Sequence, residues 1–359
     1  GKASAWVHIT AGEAGIDAKV LPANAKVRRE TNTMPGWAGS CWYYLRYCDP
    51  MNAGRFVSKE AERYWMTGPD GTGRGVDLYI GGNEHAVLHL LYARFWHKML
   101  FDLGHVSTPE PFAKLFHQGL ITSHAYQRAD RTLVAVDQVE ERDGTFFEKG
   151  GGEVTQVVAK MSKSLKNVIN PDDVIAEYGA DTFRLYEMYM GPLEASKPWN
   201  TRDIAGVFRF LQRAWRVAVC ERTGTLLLAA KASDELERLL HRATRKVADD
   251  IERLAFNTGI ATLIEVVNAA TRPTEMTDPT QGGMTREQLD RFTRLLAPFA
   301  PHMAEEIWSR LGHATSVTLA EWPGVDAAML VDSSVQLAVQ VAGKVKAHLT
   351  VPADASAAD

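Results

Sequence analysis

The chain has 359 residues, of which 45% are hydrophobic and 23% are charged, and its formal net charge at pH 7 is −4. This length and balance are typical of a globular protein with two or three domains. The net charge excludes a protein that is basic throughout, so any nucleic-acid surface must be a local patch. No apolar run approaches the ~18 residues that a membrane helix requires, and residues 1–6 lack the pattern of a secretory signal.

The three cysteines, Cys41, Cys48 and Cys220, are widely spaced and form no C-x-x-C motif. Their spacing disfavours a disulfide framework and a zinc knuckle. We interpret all three as small packing residues. A reducing compartment suits them best, so the sequence predicts a cytoplasmic protein.

The first part of the chain predicts short strands followed by one strand–turn–helix unit. Residues 18–21 and 27–31 have strand-like composition, and residues 76–80 predict a buried strand. Gly81 and Gly82 end that strand, and a helix is predicted from about residue 83 to residue 103. Nucleotide-binding parallel sheets are built from such units, with the ligand at the carboxyl end of the strand.

Residues 126–158 predict an insertion that is rich in strands. Residues 132–136 and 154–159 have strand patterns, and they flank a charged, glycine-rich excursion at 140–153. A helix is then predicted to begin at residues 170–173. We expect Asn170 or one of the following aspartates to cap it.

From residue 200 the sequence predicts long helices. Apolar residues recur at spacings of three and four along one of them, at Leu236, Leu240, Ala243, Val247, Ile251 and Leu254. Another helix should begin at Thr285, whose spacing to Gln288 fits a capping box. It should end or kink at Pro298 and Pro301. Beyond a linker near residues 322–324, residues 335–341 and 345–351 predict two strands joined by a turn at Gly343.

The strongest single motif is the lysine-serine loop, residues 160–164, with the sequence Lys160-Met161-Ser162-Lys163-Ser164. Its lysines can neutralise charge on a pyrophosphate leaving group, and its serines can donate hydrogen bonds to phosphate. A chance match to one such pentapeptide has odds of roughly one in ten thousand. The alternative interpretation is a solvated basic loop.

Two histidines after the glycine pair form a second candidate site. If residues 83–103 form one helix, His85 and His89 lie on the same face, beside Glu84 and with Tyr92 one turn further on. A zinc site would need a third ligand, and none is evident nearby. The remaining alternatives are packed, hydrogen-bonded histidines and a functional pair.

Four arginines, Arg202, Arg209, Arg213 and Arg216, fall within roughly 60° of one another around a predicted helix. A one-sided arginine stripe on an acidic protein suits an RNA backbone. The alternative is a solvated face that is paired with carboxylates, and both interpretations stay open here.

Seven segments together resemble class I aminoacyl-tRNA synthetases, specifically the bacterial-type leucyl-tRNA synthetase family. They are RETNTMP at 29–35, WAGSCWYYLRY at 37–47, YIGGNEHAVLHLL at 79–91, KMSKSLKNVINP at 160–171, YGADTFRL at 178–185, LAPFAPHMAEEIW at 296–308 and QVAGKV at 340–345. The resemblance covers nearly the whole chain beyond about residue 25. It implies ATP-dependent formation of leucyl-adenylate and transfer of leucine to tRNA, with Mg²⁺ as part of the ATP complex.

The resemblance also implies roles for particular residues. Catalytic roles at the triphosphate fall to Lys160, Ser162, Lys163 and Ser164. ATP and adenylate contacts fall to Gly81, Gly82, Glu84, His85 and Met161. Leucine contacts fall to Trp37, Ser40, Tyr43, His85 and His89, although Trp37 and Tyr43 could also be plain core aromatics. The tRNA would meet Arg202, Arg209, Arg213 and Arg216, and no resident metal site is implied. Many relatives carry an acidic residue where this chain has Gly39, which leaves the pocket polarity open.

The family's His-x-Gly-His signature and its large editing insertion do not occur in this chain. We therefore expect a carboxyl-terminal fragment, inactive alone in adenylate formation because both half-sites must be held at fixed geometry. Its predicted fold class is α/β plus all-α: the second half of a Rossmann-type catalytic domain (1–125), a β-rich insertion (126–158), the loop and stem-contact region (159–199), a helical anticodon-binding domain (200–324) and the β-hairpin start of a C-terminal domain (325–359).

Other interpretations remain open at this point. A half sheet leaves an open edge and exposed apolar surface, so we expect the fragment to tend toward self-association, whereas the whole enzyme should be a monomer. Within the same class, an isoleucyl- or valyl-type enzyme is the alternative. A non-catalytic tRNA-binding module is the alternative from a different class.

Overall fold

The computed structural model describes residues 4–34, 36–68, 71–271, 283–331, 334–341 and 344–352. The chain divides into two compact units, Gly1–His117 and Gln118–Asp359, here called the first and second unit. None of the helices formed by the described residues is long and apolar enough to cross a membrane.

The first unit combines short helices with two small strand pairs. Its helices are α1 (Ser4–Val7), α2 (Trp37–Ser40), α3 (Tyr43–Cys48), α4 (Lys59–Thr67) and α5 (His89–Asp102). Its strands are β1 (His8–Thr10), β2 (Lys26–Arg28), β3 (Tyr79–Ile80) and β4 (Leu115–Phe116). Strands β1 and β2 pair antiparallel, whereas β3 and β4 pair parallel and a parallel bridge joins Val76 to Phe112.

Several strand predictions for this unit are wrong or too long. Residues 18–21 form turns, and the strand predicted at 27–31 is β2, which ends at Arg28. The strand predicted at 76–80 pairs regularly only at Tyr79 and Ile80. Short edge segments of this kind have little period-2 signal, because their partners rather than their own pattern determine their extent.

The helix predicted from residue 83 begins six residues later than expected. Asn83–His85 is a 3₁₀ turn, in which Ala86 N–H donates to Asn83 and Leu88 N–H donates to His85. Leu88, at φ −109° and ψ −102°, lies outside the helical region, so the α-helical hydrogen-bond ladder cannot run through it. Helix α5 therefore begins at His89, and the prediction that His85 and His89 share one helical face is wrong.

The core of the first unit is small and leaves one side of α5 uncovered. Its buried cluster consists of Cys41, Tyr44, Leu45, Val57, Met66, Ala93 and Val106. On the opposite side of α5, Leu91 and Phe95 are 59% and 68% exposed, and Val87, which precedes the helix, is 74% exposed. These three residues, here called the α5 stripe, are exposed apolar side chains.

A mixed sheet opens the second unit. Its strands are β5 (Ile121–Gln127), β6 (Leu133–Val134), β7 (Val139–Arg142), β8 (Thr145–Glu148), β9 (Glu153–Lys160) and β10 (Lys197–Pro198). The order is β10-β5-β9-β8-β7, with β6 also on β5, and only the β10–β5 pairing is parallel. Residues 140–153 were predicted to be an irregular, charged and glycine-rich loop. That prediction is wrong, because β7 and β8 form an antiparallel hairpin there. Asp143 and Gly144, both at positive φ, make its tight turn.

The rest of the second unit is helical around one large core, followed by a strand pair. The helices are α6 (Pro171–Tyr178), α7 (Ala180–Tyr189), α8 (Thr201–Ala218), α9 (Asp234–Glu252), α10 (Phe256–Ala270), α11 (Arg286–Leu296) and α12 (Pro301–Arg310). Thirty of the described residues form its buried cluster. The last strands, β11 (Ser334–Val341) and β12 (Lys344–Pro352), pair antiparallel, and the predicted turn at Gly343 lies outside the described residues.

The local helix signals in this unit are confirmed. Asn170 caps α6 by accepting a hydrogen bond from the backbone of Asp172, and Thr285 with Gln288 forms the predicted capping box of α11. Pro301 opens α12, as a proline at the first helical position should. Leu236, Leu240, Ala243 and Val247 of the predicted stripe are buried along α9.

Candidate active site

A cavity of about 290 Å³ lies within the first unit, at the carboxyl end of β3. Seven of its lining residues were named from the sequence: Trp37, Ser40, Tyr43, Gly81, Gly82, His85 and His89. Five more complete the wall and were missed: Tyr79, Ile80, Leu90, Leu115 and His117. A mostly apolar, aromatic wall with a few polar groups is the usual form of a site for a small ligand.

Three polar side chains of the wall form one hydrogen-bonded chain. The Tyr43 and Tyr79 hydroxyls are 2.5 Å apart, and the Tyr79 hydroxyl is 2.7 Å from Nε2 of His89. The rings also stack, since the Tyr79 and His89 planes differ by 22° and Tyr79 lies 4.0 Å, centroid to centroid, from Phe112. Each hydroxyl is held by a partner from another element, so the wall is fixed before any ligand arrives.

Burial determines the charge states of His89 and Tyr79 in this hydrogen-bonded group. Burial, with a smaller contribution from His85, lowers the pKa of His89, and burial raises the pKa of Tyr79. Both groups are therefore neutral at pH 7. Nδ1 of His85 is buried and has no hydrogen-bond partner among the described residues, while its ring meets Trp37 edge-on at 5.4 Å. This nitrogen is therefore a buried polar atom without a partner, beside the cavity that the His85 ring lines.

The glycine pair shapes the rim of the cavity. The Gly81 carbonyl accepts a hydrogen bond from Nδ1 of His117 at 2.8 Å, which fixes the protonated nitrogen of that ring. At Gly82 an added Cβ would lie 2.2 Å from the Glu84 carboxylate, which folds back over this residue. Glu84 is exposed and does not line the cavity, so of the candidate residues in this segment it alone stays outside.

The lysine-serine loop lies in the second unit and begins at the last residue of β9. Lys160 and Lys163 are exposed, and neither forms an ion pair with a carboxylate of the described residues. Met161 is half-buried and packs against the large helical core. The Ser162 hydroxyl accepts from the backbone of Leu165 at 3.3 Å and lies 3.1 Å from the Ser164 hydroxyl. The loop therefore presents two free ammonium groups on an anchored backbone.

The four arginines lie on α8, where Arg202, Arg209 and Arg216 are exposed and Arg213 is half-buried. Arg213 donates to Oδ1 of Asn268 at 2.5 Å, and Arg216 pairs with Glu221 at 3.5 Å. Arg202 and Arg209 form no ion pair within the part of the chain that the structure describes. Half of the stripe is thus engaged within the protein, and half is free to meet an anionic partner.

The described residues contain no group of three His, Cys, Asp or Glu side chains arranged to hold a metal ion. The three cysteines are free thiols, with Cys41 buried and the others half-buried.

Comparisons with known proteins show similarity to two families and to a set of named relatives. Residues 234–358 match the family described as anticodon-binding domain of tRNA ligase, and residues 155–197 match tRNA synthetases class I (I, L, M and V). The leucine–tRNA ligase of Salinispora tropica is 56% identical over 91% of this chain. The chain is homologous to leucine–tRNA ligases. The resemblance predicted from the sequence motifs is confirmed.

Further relatives agree over nearly the whole chain. The leucine–tRNA ligase of Streptomyces coelicolor is 50% identical over 96% of this chain, and leucine–tRNA ligase 1 of Rhizobium johnstonii is 49% identical over 98%. The chain spans 34%, 35% and 39% of the Salinispora, Streptomyces and Rhizobium proteins. A crystal structure of a LeuRS-tRNA-LeuAMS ternary complex from Agrobacterium radiobacter is similar, with a TM-score of 0.66 and 28% identity, covering 96% of this chain and 40% of that one.

Proposed function

We propose that this chain supplies the leucine cavity, the lysine-serine loop and tRNA-binding helices of a leucine–tRNA ligase. The observation that carries the proposal is the first-unit cavity, in which seven residues named from sequence motifs line one aromatic pocket. Homology to leucine–tRNA ligases over nearly the whole chain supports leucine as the amino acid.

In this proposal the cavity selects leucine by shape. Trp37, Tyr43 and Tyr79 would enclose the branched side chain, and Leu90 and Leu115 would add apolar wall. Shape and desolvation discriminate apolar side chains, although one methylene changes binding by only about 1–3 kcal/mol. Ser40 and His85 are the polar lining residues that we assign to the ammonium and carboxylate ends, and the buried, unpartnered Nδ1 of His85 would gain a partner only if the ring turned toward the ligand.

ATP would enter as its Mg²⁺ complex and meet the lysine-serine loop. Lys160 and Lys163 would neutralise the charge that develops on pyrophosphate as the leucine carboxylate attacks the α-phosphate. Their lack of ion pairs with described carboxylates supports this role, because no internal pair has to be broken first. Ser162 and Ser164 would donate hydrogen bonds to phosphate oxygens, and Gly81 and Gly82 would let the adenylate approach the cavity rim.

Transfer RNA would meet the helical part of the second unit. The exposed arginines Arg202, Arg209 and Arg216 on α8 offer charge to the phosphate backbone. The match to anticodon-binding domains supports RNA as the partner of these helices. The LeuRS named in the similar crystal structure is in complex with tRNA, which supports the same assignment.

The finer domain division belongs to this proposal. Residues 1–125 would form the second half of a Rossmann-type catalytic domain, which the parallel β3–β4 pair and the Val76–Phe112 bridge support. Residues 126–158 would be the β-rich insertion and residues 159–199 the loop and stem-contact region. Residues 200–324 and 325–359 would be the anticodon-binding domain and the start of a further domain; the anticodon-binding match at 234–358 overlaps both.

Two properties of the chain follow from the same proposal. The α5 stripe is exposed apolar surface, so we expect the chain to self-associate when it is produced alone, whereas the whole enzyme would be a monomer. Three free thiols support a cytoplasmic location.

A hybrid enzyme tests the proposal. In it this chain replaces the matching third of the Salinispora tropica leucine–tRNA ligase, and ATP–pyrophosphate exchange is measured with leucine, isoleucine and valine. We expect exchange with leucine only, and loss of at least about a hundredfold when Lys160 and Lys163 are both changed to Ala. Changing Lys231, an exposed lysine of the second unit, to Ala is the matched control and should leave exchange unchanged.

The competing functions give different results in the hybrid enzyme. Preference for isoleucine or valine would contradict the leucine assignment. Binding of tRNA without exchange, in a folded hybrid, would favour the non-catalytic tRNA-binding module.

A further inference from the structure

The backbone of the lysine-serine loop is held by a side chain that lies outside the loop. Asn167 is 4% exposed, and its Oδ1 accepts the hydrogen bond of the Ser162 backbone N–H at 2.9 Å. Its Nδ2 is also buried and has no partner among the described residues. Burying a polar side chain costs stability unless it is hydrogen-bonded; here the bond of Oδ1 to Ser162 offsets that cost only in part, and it holds the middle of the loop.

A second set of contacts ties the end of the loop to the sheet. The 3₁₀ turn Val136–Gln138, between β6 and β7, donates from Val136 N–H to the Leu165 carbonyl at 2.9 Å. One residue further, Lys166 Nζ lies 2.5 Å from Oδ2 of Asp137. The Lys166 ammonium lowers the pKa of the Asp137 carboxyl, so the pair is charged at neutral pH.

The turn that follows the loop needs both contacts. Lys166 has a positive φ of 51°, a conformation that is uncommon for a residue other than glycine, asparagine or aspartate. It persists only where the surroundings determine it. Here Asn167 on one side and Asp137 on the other surround Lys166. Their contacts fix the backbone of Ser162 and the position of Lys166, on either side of Lys163.

We propose that Asn167 is a positioning residue for the lysine-serine loop, and that the Asp137–Lys166 pair holds the same loop against the β-rich insertion. Neither group is required to touch the nucleotide. They act through Ser162 and Leu165, whose backbone carries Lys160 and Lys163. The insertion thereby gains a role in ATP activation, because one of its turns supports the loop.

The first experiment measures amide hydrogen exchange in the 359-residue chain itself. Asn167→Ala should speed exchange of the Ser162 amide, whereas Asn167→Asp, which keeps an oxygen acceptor at the same place, should restore its protection. Asn170→Ala is the matched control. It removes an asparagine acceptor three residues away, one that caps α6 and does not contact the loop. Equal Ser162 exchange in Asn167→Ala and the unmodified chain would overturn the proposal.

The second experiment uses the hybrid enzyme, since the effect on catalysis rests on the proposed function. Asn167→Ala should lower kcat of pyrophosphate exchange by about 10- to 100-fold with an unchanged KM for leucine, because misplaced groups lose catalysis rather than amino-acid binding. Asn167→Asp should recover most of that loss, which a general folding defect would not allow. An unchanged kcat in Asn167→Ala would refute the positioning role.

A milder variant keeps the proposal testable if Asn167→Ala does not fold. Asp137→Asn breaks an exposed ion pair at the far end of the loop and should lower kcat about two- to threefold. Glu110→Gln is its matched control, because Glu110 forms a comparably exposed ion pair with Arg94 at 2.8 Å in the first unit, whereas the loop lies in the second. Equal effects of the two changes would contradict the role of Asp137.

The two proposals fail in different ways. If the unmodified hybrid has no exchange activity, the proposed function fails while the hydrogen-exchange result still decides whether Asn167 holds the loop.

Discussion

The two units differ in whether their candidate functional side chains are enclosed or exposed. The first unit encloses them: Tyr43, Tyr79 and His89 face a cavity and bond to one another, although only seven buried apolar residues form the core behind them. The second unit exposes them: Lys160, Lys163, Arg202 and Arg209 stand in solvent, and thirty buried residues form the core behind them. A pocket that selects a ligand by shape needs rigid walls. Side chains that bind phosphate need an ordered backbone and charged groups that are exposed and unpaired.

This contrast predicts different stabilities for the two units, and core truncation should show the largest effect. Leu45 in the first unit and Leu263 in the second are both fully buried, so changing either to Ala should cost about 2–5 kcal/mol. Because the first unit has the smaller core, we expect it to unfold first, with Leu45→Ala moving only the earlier transition and Leu263→Ala the later one. Urea unfolding followed by hydrogen exchange in each unit measures this. A single transition that both changes shift equally would show that the units do not unfold separately.

The next effect concerns the cavity wall. Tyr79→Phe removes the hydroxyl that bonds both Tyr43 and His89 while keeping the ring on Phe112. With buried His89 and half-buried Tyr43 left without this partner, we expect a loss of about 1–3 kcal/mol in leucine binding, seen as a raised KM for leucine at unchanged KM for ATP. Steady-state exchange kinetics of the hybrid enzyme test this, with Tyr64→Phe, an exposed tyrosine of α4, as the matched control. An equal rise in both KM values would mean that the wall is not specific to leucine.

A smaller effect is expected in the pH dependence of the first unit's stability. The pKa of His89 is lowered from 6.5 by burial, so the folded state favours the neutral ring. The unfolded chain then binds the proton more readily, and the first unit should lose stability as pH falls below about 6.5 but not above it. His89→Gln, which cannot titrate, should flatten this dependence. Urea midpoints between pH 5 and pH 8 are the measurement, and a midpoint that rises on acidification would contradict the assignment.

The smallest effect is expected at the exposed charges of the second unit. Arg209 forms no ion pair with the described residues, so reversing it should leave stability within about 0.5 kcal/mol. Arg209→Glu should weaken tRNA binding and lower its dependence on salt concentration, since one phosphate contact is lost. Lys231→Glu reverses an exposed charge outside the stripe and serves as the control. The measurement is tRNA binding at several salt concentrations. If the binding constants of both variants depend equally on salt concentration, the arginine stripe does not contact tRNA.

Sequence reasoning succeeded where the signal is local. Thr285 with Gln288, Asn170 and Pro301 each act within about three residues, so their spacing alone predicted the helix ends. The cavity was partly predicted for a different reason, because motif residues were recognised while Leu115 and His117 line it from a distant segment. Residues of that kind carry no local pattern.

The missed features fall into two classes. The break at Leu88 lies in a run of good helix formers without glycine or proline, so nothing in the spacing indicated it. Asp143-Gly144, in contrast, is a local hairpin signal, because both residues adopt the positive φ that a tight hairpin turn requires. Asn167 lies three residues beyond the lysine-serine loop, but its burial is visible only in the fold.

We propose that the first-unit cavity and the lysine-serine loop of this chain serve one reaction, leucyl-adenylate formation, together with the rest of a leucine–tRNA ligase. Leucine-dependent ATP–pyrophosphate exchange tests it, with the chain alone and mixed with the separately produced amino-terminal part of the Salinispora tropica relative. We predict no exchange by the chain alone and exchange on mixing, which Lys160→Ala combined with Lys163→Ala abolishes. Exchange by the chain alone, or exchange that survives without the two lysines, would contradict the account.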